Sequence, residues 1–278
     1  MTAPKILFST GTLYVYPLRT AFELAKAAGC DGVELVVCPE SILRGPKPIA
    51  RLAERTALPI QALHPPLFDL PGWRRDDTMI ARLVEIALAL RIPTVVVHPP
   101  RTRRMDDRAL TAFQVSLDRA CAQLTTIGSQ ITLENPGFFR PRDSLLPLWQ
   151  LPALRRFAEL HGLNLTLDTV HAGVSPCPLL ESYRIVRGRL AHVHLSDLGT
   201  PPPWLDQAFL ASYVKHHQLP GTGVLPLGEF LRALARDAFE GDITLELSPV
   251  SLQIWDLARS QRLLTRAVED TRRLLASA

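Results

Sequence analysis

Strand-like and helical segments alternate along this chain eight times, and that alternation narrows the fold more than any other feature. Apolar runs rich in Val, Ile, Leu and Thr stand at 5–10 (KILFST), 32–37 (GVELVV), 60–64 (IQALH), 94–98 (TVVVH), 131–134 (ITLE), 165–168 (LTLD), 191–195 (AHVHL) and 243–247 (ITLEL). Between them apolar residues recur at helical spacing, as in TAFELAKAAG, DTMIARLVEIALALR and PALRRFAELHG, and a glycine closes several of these segments. The pattern predicts an α/β protein folded as a closed (β/α)8 TIM barrel. A doubly wound open sheet would call for a G-x-G-x-x-G turn after an early strand, and FSTGTLY has none. The 278 residues, 47% of them hydrophobic, suit one barrel domain over 1–278.

In such a barrel, alternate strand residues point inward and the C-terminal strand ends surround the active site. Here those ends are polar: His64, His98, Glu134, Asp168, His194 and Glu246 close strands three to eight. Thr132, Thr166 and Thr244 stand two residues before the three carboxylates and so on the same inward side, which predicts a threonine layer beneath an acid layer. Carboxylates converging in a cavity of low dielectric repel one another and take up protons unless a cation lies between them. Glu134, Asp168, His194 and Glu246 therefore read as ligands of one divalent metal. The mixed oxygen and nitrogen set suits manganese, zinc, cobalt or magnesium.

The remaining composition excludes several classes. Four cysteines (Cys30, Cys38, Cys121, Cys177) show no Cys-x-x-Cys spacing and read as thiols of a reducing compartment. No apolar run approaches the roughly 20 residues that span a bilayer, so a soluble, cytoplasmic protein is expected. A charge of +4 without a long basic block makes a nucleic-acid partner a poor expectation. Only four of the 31 basic residues are lysine, and Arg74, Arg75, Arg101, Arg103, Arg104, Arg140 and Arg142 fall in the loops over the strand ends. Those loops also carry Phe68, Trp73, Phe138, Phe139 and Trp204, aromatic walls suited to the apolar faces of a sugar. The expected partner is a small molecule, anionic if the arginines make the mouth positive; a homo-oligomer is compatible with the sequence.

The ordered set HPP (64–66), HPP (98–100), LENPG (133–137), LDTVH (167–171), HVHLSD (192–197) and LPGTGVLPL (219–227) resembles the xylose-isomerase-like TIM-barrel superfamily, which holds sugar isomerases and epimerases and the abasic-site endonucleases. The resemblance spans essentially the whole chain. It implies the metal quartet Glu134, Asp168, His194 and Glu246, and places His171 as the histidine after strand six. It leaves His64 and His98 as ligands of a second metal or as substrate contacts. The endonuclease branch draws two further ligands from an Asp-x-His; here Val214 stands at the aspartate and His216 keeps the histidine. His192 reads as a residue one layer below the ligands, and His161 and His217 as residues without a role. The function implied is metal-dependent isomerisation or epimerisation of a sugar, sugar phosphate or polyol through an enediolate. Glu134 and Glu246 would be the acid/base pair, and Glu34, His171, His216, Phe68 and Trp73 the substrate contacts. The alternatives are an abasic-site endonuclease-like phosphodiesterase and a non-catalytic barrel.

Overall fold

Eight parallel strands pair in sequence order and close on themselves: β1 (Ile6–Ser9), β2 (Gly32–Val36), β3 (Ile60–His64), β4 (Thr94–Val97), β5 (Gln130–Glu134), β6 (Asn164–Asp168), β7 (Leu190–Leu195) and β8 (Asp242–Leu245). β1 is hydrogen-bonded to β2 on one side and to β8 on the other, so no sheet edge is left open. One main helix follows each strand: α1 (Leu18–Ala27), α2 (Pro46–Thr56), α3 (Asp76–Leu90), α4 (Arg108–Thr125), α5 (Leu151–Leu160), α6 (Leu179–Val186), α7 (Leu227–Arg236) and α8 (Leu257–Ala276). The computed structural model describes residues 3–73, 75–105, 107–207 and 210–277. The expected strands are all present, with two differences at their ends. His98 and Glu246 each lie one residue beyond a strand and begin the following loop.

The two faces of each strand carry different chemistry. Phe8, Leu35, Leu63, Leu133, Leu167 and Leu195 belong to the outward face and merge with helix residues such as Phe22, Phe113 and Phe230 into one buried apolar cluster. Each such side chain contributes about 1.5–3 kcal/mol on burial, so the shell between strands and helices supplies most of the folding free energy. The inward face is polar instead: Glu34, Thr132, Glu134, Thr166, Asp168, His192, His194 and Thr244 are all at most 1% exposed.

The inward hydroxyls form the layer that the repeated Thr-x-acid pattern predicts. Thr166 Oγ1 donates to Thr132 Oγ1 at 2.7 Å, and Thr244 Oγ1 lies 3.0 Å from His192 Nε2. Thr166→Val preserves shape but leaves the buried Thr132 hydroxyl without this partner. The expected cost is about 1–3 kcal/mol of unfolding free energy, measured by urea denaturation. The carboxylate layer above should keep its ligand-binding capacity in that variant.

Candidate metal centre and active-site cavity

His194 organises the centre of the barrel mouth. Its Nε2 donates to Glu34 Oε2 at 2.9 Å, which directs Nδ1 toward the carboxylates of three other strands. From Nδ1 the distances are 3.1 Å to Glu246 Oε2, 3.6 Å to Glu134 Oε2 and 4.0 Å to Asp168 Oδ2. Neither His194 Nδ1 nor Asp168 Oδ2 makes a hydrogen bond, and both are buried. A buried acceptor and a buried imidazole nitrogen without partners, ringed by two further carboxylates, suit a divalent cation that would satisfy all of them at once. Glu134, Asp168, His194 and Glu246 are thus brought together and could hold one.

The neighbouring side chains are locked around this quartet. Asp168 Oδ1 accepts from the backbone N–H of His171 at 2.7 Å, leaving only Oδ2 for the centre. Asn135 ties β5 to β6, accepting from Asp168 N–H at 2.6 Å and donating to the Asp168 carbonyl at 3.2 Å. His171 Nδ1 sits 2.9 Å from the Asn135 carbonyl and 3.0 Å from Glu134 Oε1. On the other side of Glu134, His98 Nε2 is 2.9 Å and His64 Nε2 3.6 Å from Oε2. His64, His98 and Glu134 form a second group of converging donor atoms, and Asp168, His171 and His217 a third.

The protonation states follow from this crowding. Burial pushes the Asp168 carboxyl above its ordinary range, and the charges of Glu246 and Glu134 add to that against the pull of His171 and His217. Burial alone would raise Glu246 as well, but His194 and His217 outweigh it and hold Glu246 at about 2. His194 is raised well above the usual imidazole value because Glu34, Glu134 and Glu246 overcome its burial. Burial likewise opposes a proton on His171, but Asp168 and Glu134 bring it to about 10. His216 goes the other way, lowered to about 4 by burial and then by its neighbours His217 and His171.

Above the quartet opens a cavity of about 1200 Å³ whose walls include Phe68, Phe139, His171, His216, His217 and Glu246. Several sequence expectations need correction here. Glu34 is expected to hold substrate hydroxyls; it is fully buried beneath His194, within 3.4 Å of His192 Nε2 as well, and is not part of the cavity wall. Trp73 is 5% exposed and packs under the Arg82 guanidinium, 5.5 Å from its ring, because the loop after β3 folds back on α3. Trp204 is 74% exposed and outside the cavity wall. His217, expected to have no role, faces Asp168 Oδ2 at 4.0 Å, while His216 packs against Phe139 with ring centroids 4.8 Å apart. His161 is half-buried away from the cavity, its ring 4.5 Å from that of Phe157 and its Nδ1 3.7 Å from Asp118.

Among the described residues, Arg140 is the loop arginine that stands in the cavity wall. Arg75 pairs with Asp77, Arg101 pairs with Asp143 and stacks 5.1 Å from Trp149, and Arg74 lies outside the described residues. Arg140 lines the cavity, as does Lys215, the latter bound to Asp206 at 2.9 Å.

A family model described as the xylose isomerase-like TIM barrel matches residues 22–267. The chain belongs to this family. An uncharacterized protein of Mycobacterium tuberculosis is 29% identical over 265 residues, covering 89% of this chain and 91% of its own. D-psicose 3-epimerase from Clostridium cellulolyticum, solved with D-tagatose, superposes with a TM-score of 0.73 at 13% identity, covering 98% of this chain and 99% of its own. AP endonuclease, family 2, from Brucella melitensis gives a TM-score of 0.66 at 20% identity, covering 89% of this chain and 94% of its own. At these identities the two structures establish a shared fold, one found in both a sugar epimerase and an AP endonuclease.

Within this family barrel, sequence reasoning missed Asp197. It is fully buried after β7 and accepts backbone N–H groups from Leu198 (2.8 Å), Gly221 (3.0 Å), Gly223 (2.9 Å) and Leu225 (3.0 Å). A Cβ on Gly223 would stand 2.3 Å from the Leu198 carbonyl, so only glycine lets the loop close on this acid. The signal was present in the spacing of HLSD and LPGTG, which places an acid at a strand end opposite a glycine-rich loop.

Binding of a divalent cation must displace the proton on His194 and any proton on Asp168. Affinity for manganese or zinc should therefore rise with pH, by about tenfold per unit for each proton released, across roughly pH 5 to 8. Calorimetry in buffers of different ionisation enthalpy measures that release. Asp168→Asn and Glu246→Gln should each lower the metal retained after dialysis by at least about tenfold, and undiminished metal in both would remove the quartet assignment.

Proposed function

We propose that the protein is a divalent-metal-dependent isomerase or epimerase of a sugar or sugar derivative, in which Glu134 and Glu246 move a proton on the carbon beside a carbonyl. The observation that carries this reading is the convergence of those two carboxylates, from different strands, on one unpartnered imidazole nitrogen, 3.6 and 3.1 Å from His194 Nδ1. They come from β5 and from the end of β8, so they meet a bound substrate from different sides. The carboxyls of both are held below the ordinary range, Glu134 chiefly by His98 and His194 working against burial. Each is therefore ionised and able to accept a proton: in an isomerisation the carboxyl that has accepted it returns it to the neighbouring carbon, and in an epimerisation the other carboxyl, first protonated from water, delivers a proton to the opposite face.

The rest of the constellation has matching tasks. A cation held by Glu134, Asp168, His194 and Glu246 would supply positive charge against the negative charge that builds on substrate oxygens as the proton leaves. His171, positive at neutral pH, faces the cavity and steadies an oxygen there. Phe68 and Phe139 offer apolar faces to a sugar ring, and neutral His216 offers a hydrogen-bonding edge beside Phe139. His98 positions Glu134 through the 2.9 Å contact. The epimerase neighbours lend this reading support from a shared fold.

A second reading, phosphodiester hydrolysis, is favoured by the two further donor groups around Glu134 and Asp168, which would allow more than one cation. Val214 offers no donor to them.

Two measurements separate the readings. Turnover of an accepted ketose in deuterated water should place deuterium at the carbon that is inverted or reduced, and Glu134→Gln and Glu246→Gln should each slow turnover by about 10²- to 10⁴-fold, with metal content measured alongside. A substrate deuterated at that carbon whose product keeps the full label in place would exclude proton abstraction. A duplex carrying an abasic site should not be cut faster than by Glu134→Ala protein, and efficient incision would favour the hydrolase.

A further inference from the structure

Beside the main cavity lies a second, smaller pocket of about 220 Å³, set between the loop after β1, helix α1 and the ends of β2 and β3. Its inner walls include Leu13, Leu18, Ala21, Val37, Cys38 and Leu70. Gly11, Tyr14, Leu67 and Phe68 belong to its wall and to that of the large cavity above the carboxylates, so the two spaces share a neck. A Cβ on Gly11 would stand 2.9 Å from Leu67 Cδ1 and 3.0 Å from Val36 Cγ2, and its absence leaves room there. Around the neck, Tyr14, Leu67 and Phe68 are 40%, 44% and 53% exposed, apolar surface that nothing in the fold covers.

Several polar atoms near this pocket are engaged elsewhere, Ser9 Oγ being a buried exception without a partner. Val36 N–H donates to Thr10 Oγ1 at 2.9 Å, Tyr16 Oη donates to the Ile254 carbonyl at 2.8 Å, and Cys38 N–H donates to Ser41 Oγ at 2.9 Å. Water inside would find few partners, the condition under which a cavity stays dry and takes an apolar guest. A space of about 150 Å³ with such walls is enough for a benzene ring.

We propose that this pocket is a subsite for a compact apolar substituent of about phenyl size carried on the sugar, so that the substrate is a carbonyl-bearing sugar conjugate, such as an aryl glycoside with one ring hydroxyl oxidised to a ketone, rather than a free sugar. The inference rests on the sugar reading of the large cavity, and continuity through the shared neck selects the occupant. A free monosaccharide would leave both the pocket and the exposed apolar neck in contact with water. A substituent projecting from the ring through the neck would cover them.

The metal-loaded protein is titrated with phenyl β-D-glucoside, methyl β-D-glucoside and benzyl alcohol. Phenyl glucoside should bind at least about tenfold more tightly than methyl glucoside, the gain expected for burying one ring. Ala21→Phe fills the pocket from α1 without touching the large cavity, and Leu70→Trp fills it from the loop after β3. Both should erase the tenfold gain and leave methyl glucoside unchanged. Benzyl alcohol alone should slow modification of Cys38 by methyl methanethiosulfonate at least about threefold, with Cys121 and Cys177 as unprotected references. Equal affinity for the two glucosides, an advantage that survives in both folded variants, or no protection of Cys38 would overturn the proposal. If benzyl alcohol protects Cys38 while no sugar exchanges a proton, the pocket stands and the isomerase reading fails. If sugars turn over and Cys38 stays unprotected, the pocket alone fails.

Discussion

The contact between Glu34 and His194 is the constraint around which the barrel interior is arranged. A fully buried carboxylate is costly unless it is paired, and here both partners are imidazoles from β7, His194 at 2.9 Å and His192 at 3.4 Å. The pairing holds Glu34 ionised against its burial. An ionised Glu34 accepts from Nε2, which fixes how His194 is turned and leaves Nδ1 as the atom presented to the mouth. Every carboxylate of the candidate centre is placed relative to that nitrogen. The fold can carry so polar an interior because the outward faces of the same strands are almost wholly aliphatic and pack the helices. Stability and chemistry are separated by the two-residue period of the strand.

The loops are held by a second kind of buried acid. Asp197 gathers four backbone N–H groups of the turn after β7, and Asp143 accepts from Phe139 and Arg140 N–H groups while binding Arg101 from the loop after β4. Both acids are at most 1% exposed. They anchor the segments that carry His216, His217 and Phe139, so the cavity wall is built from fixed positions rather than from unanchored loops. Such anchoring limits the reorganisation that binding must bring about.

The strand count, the layer of threonines and the convergence of acids on one imidazole were legible in the sequence because all three depend on periodicity alone. What escaped depends on local backbone detail. Glu34 sits beside a register shift between β2 and β3 at Val33 and Glu34, and nothing in GVELVV tells a mouth residue from one beneath it. His216 lines the cavity as its expected role requires, while His217 joins it there because a left-handed backbone, φ 53°, turns its imidazole toward Asp168. Trp73 was assigned to the wall from its position after a strand, but the loop there reverses onto α3. Loop aromatics are a poor guide when the loop is long enough to fold back.

Charge bears on what can react in this interior. Glu34, Glu134, Asp168 and Glu246 are four carboxylates, and the imidazoles of His171 and His194 are raised far enough to stay positive in the metal-free molecule. On the single-cation reading a divalent ion replaces the His194 proton, leaving four negative charges against the ion, His171 and, when it holds a proton, His64, which Glu134, Glu34 and Glu246 raise against its burial, so the net charge there lies between about −1 and 0. The reacting end of a substrate placed there is repelled if it is itself an anion, and a phosphodiester would need the further donor groups filled to be held. An uncharged carbonyl and hydroxyl pair meets no such cost. On the proposed isomerase reading, any anionic group on the substrate would belong at the rim near Arg140, away from the carboxylates, and the proton-transfer carbon at the centre beside His194.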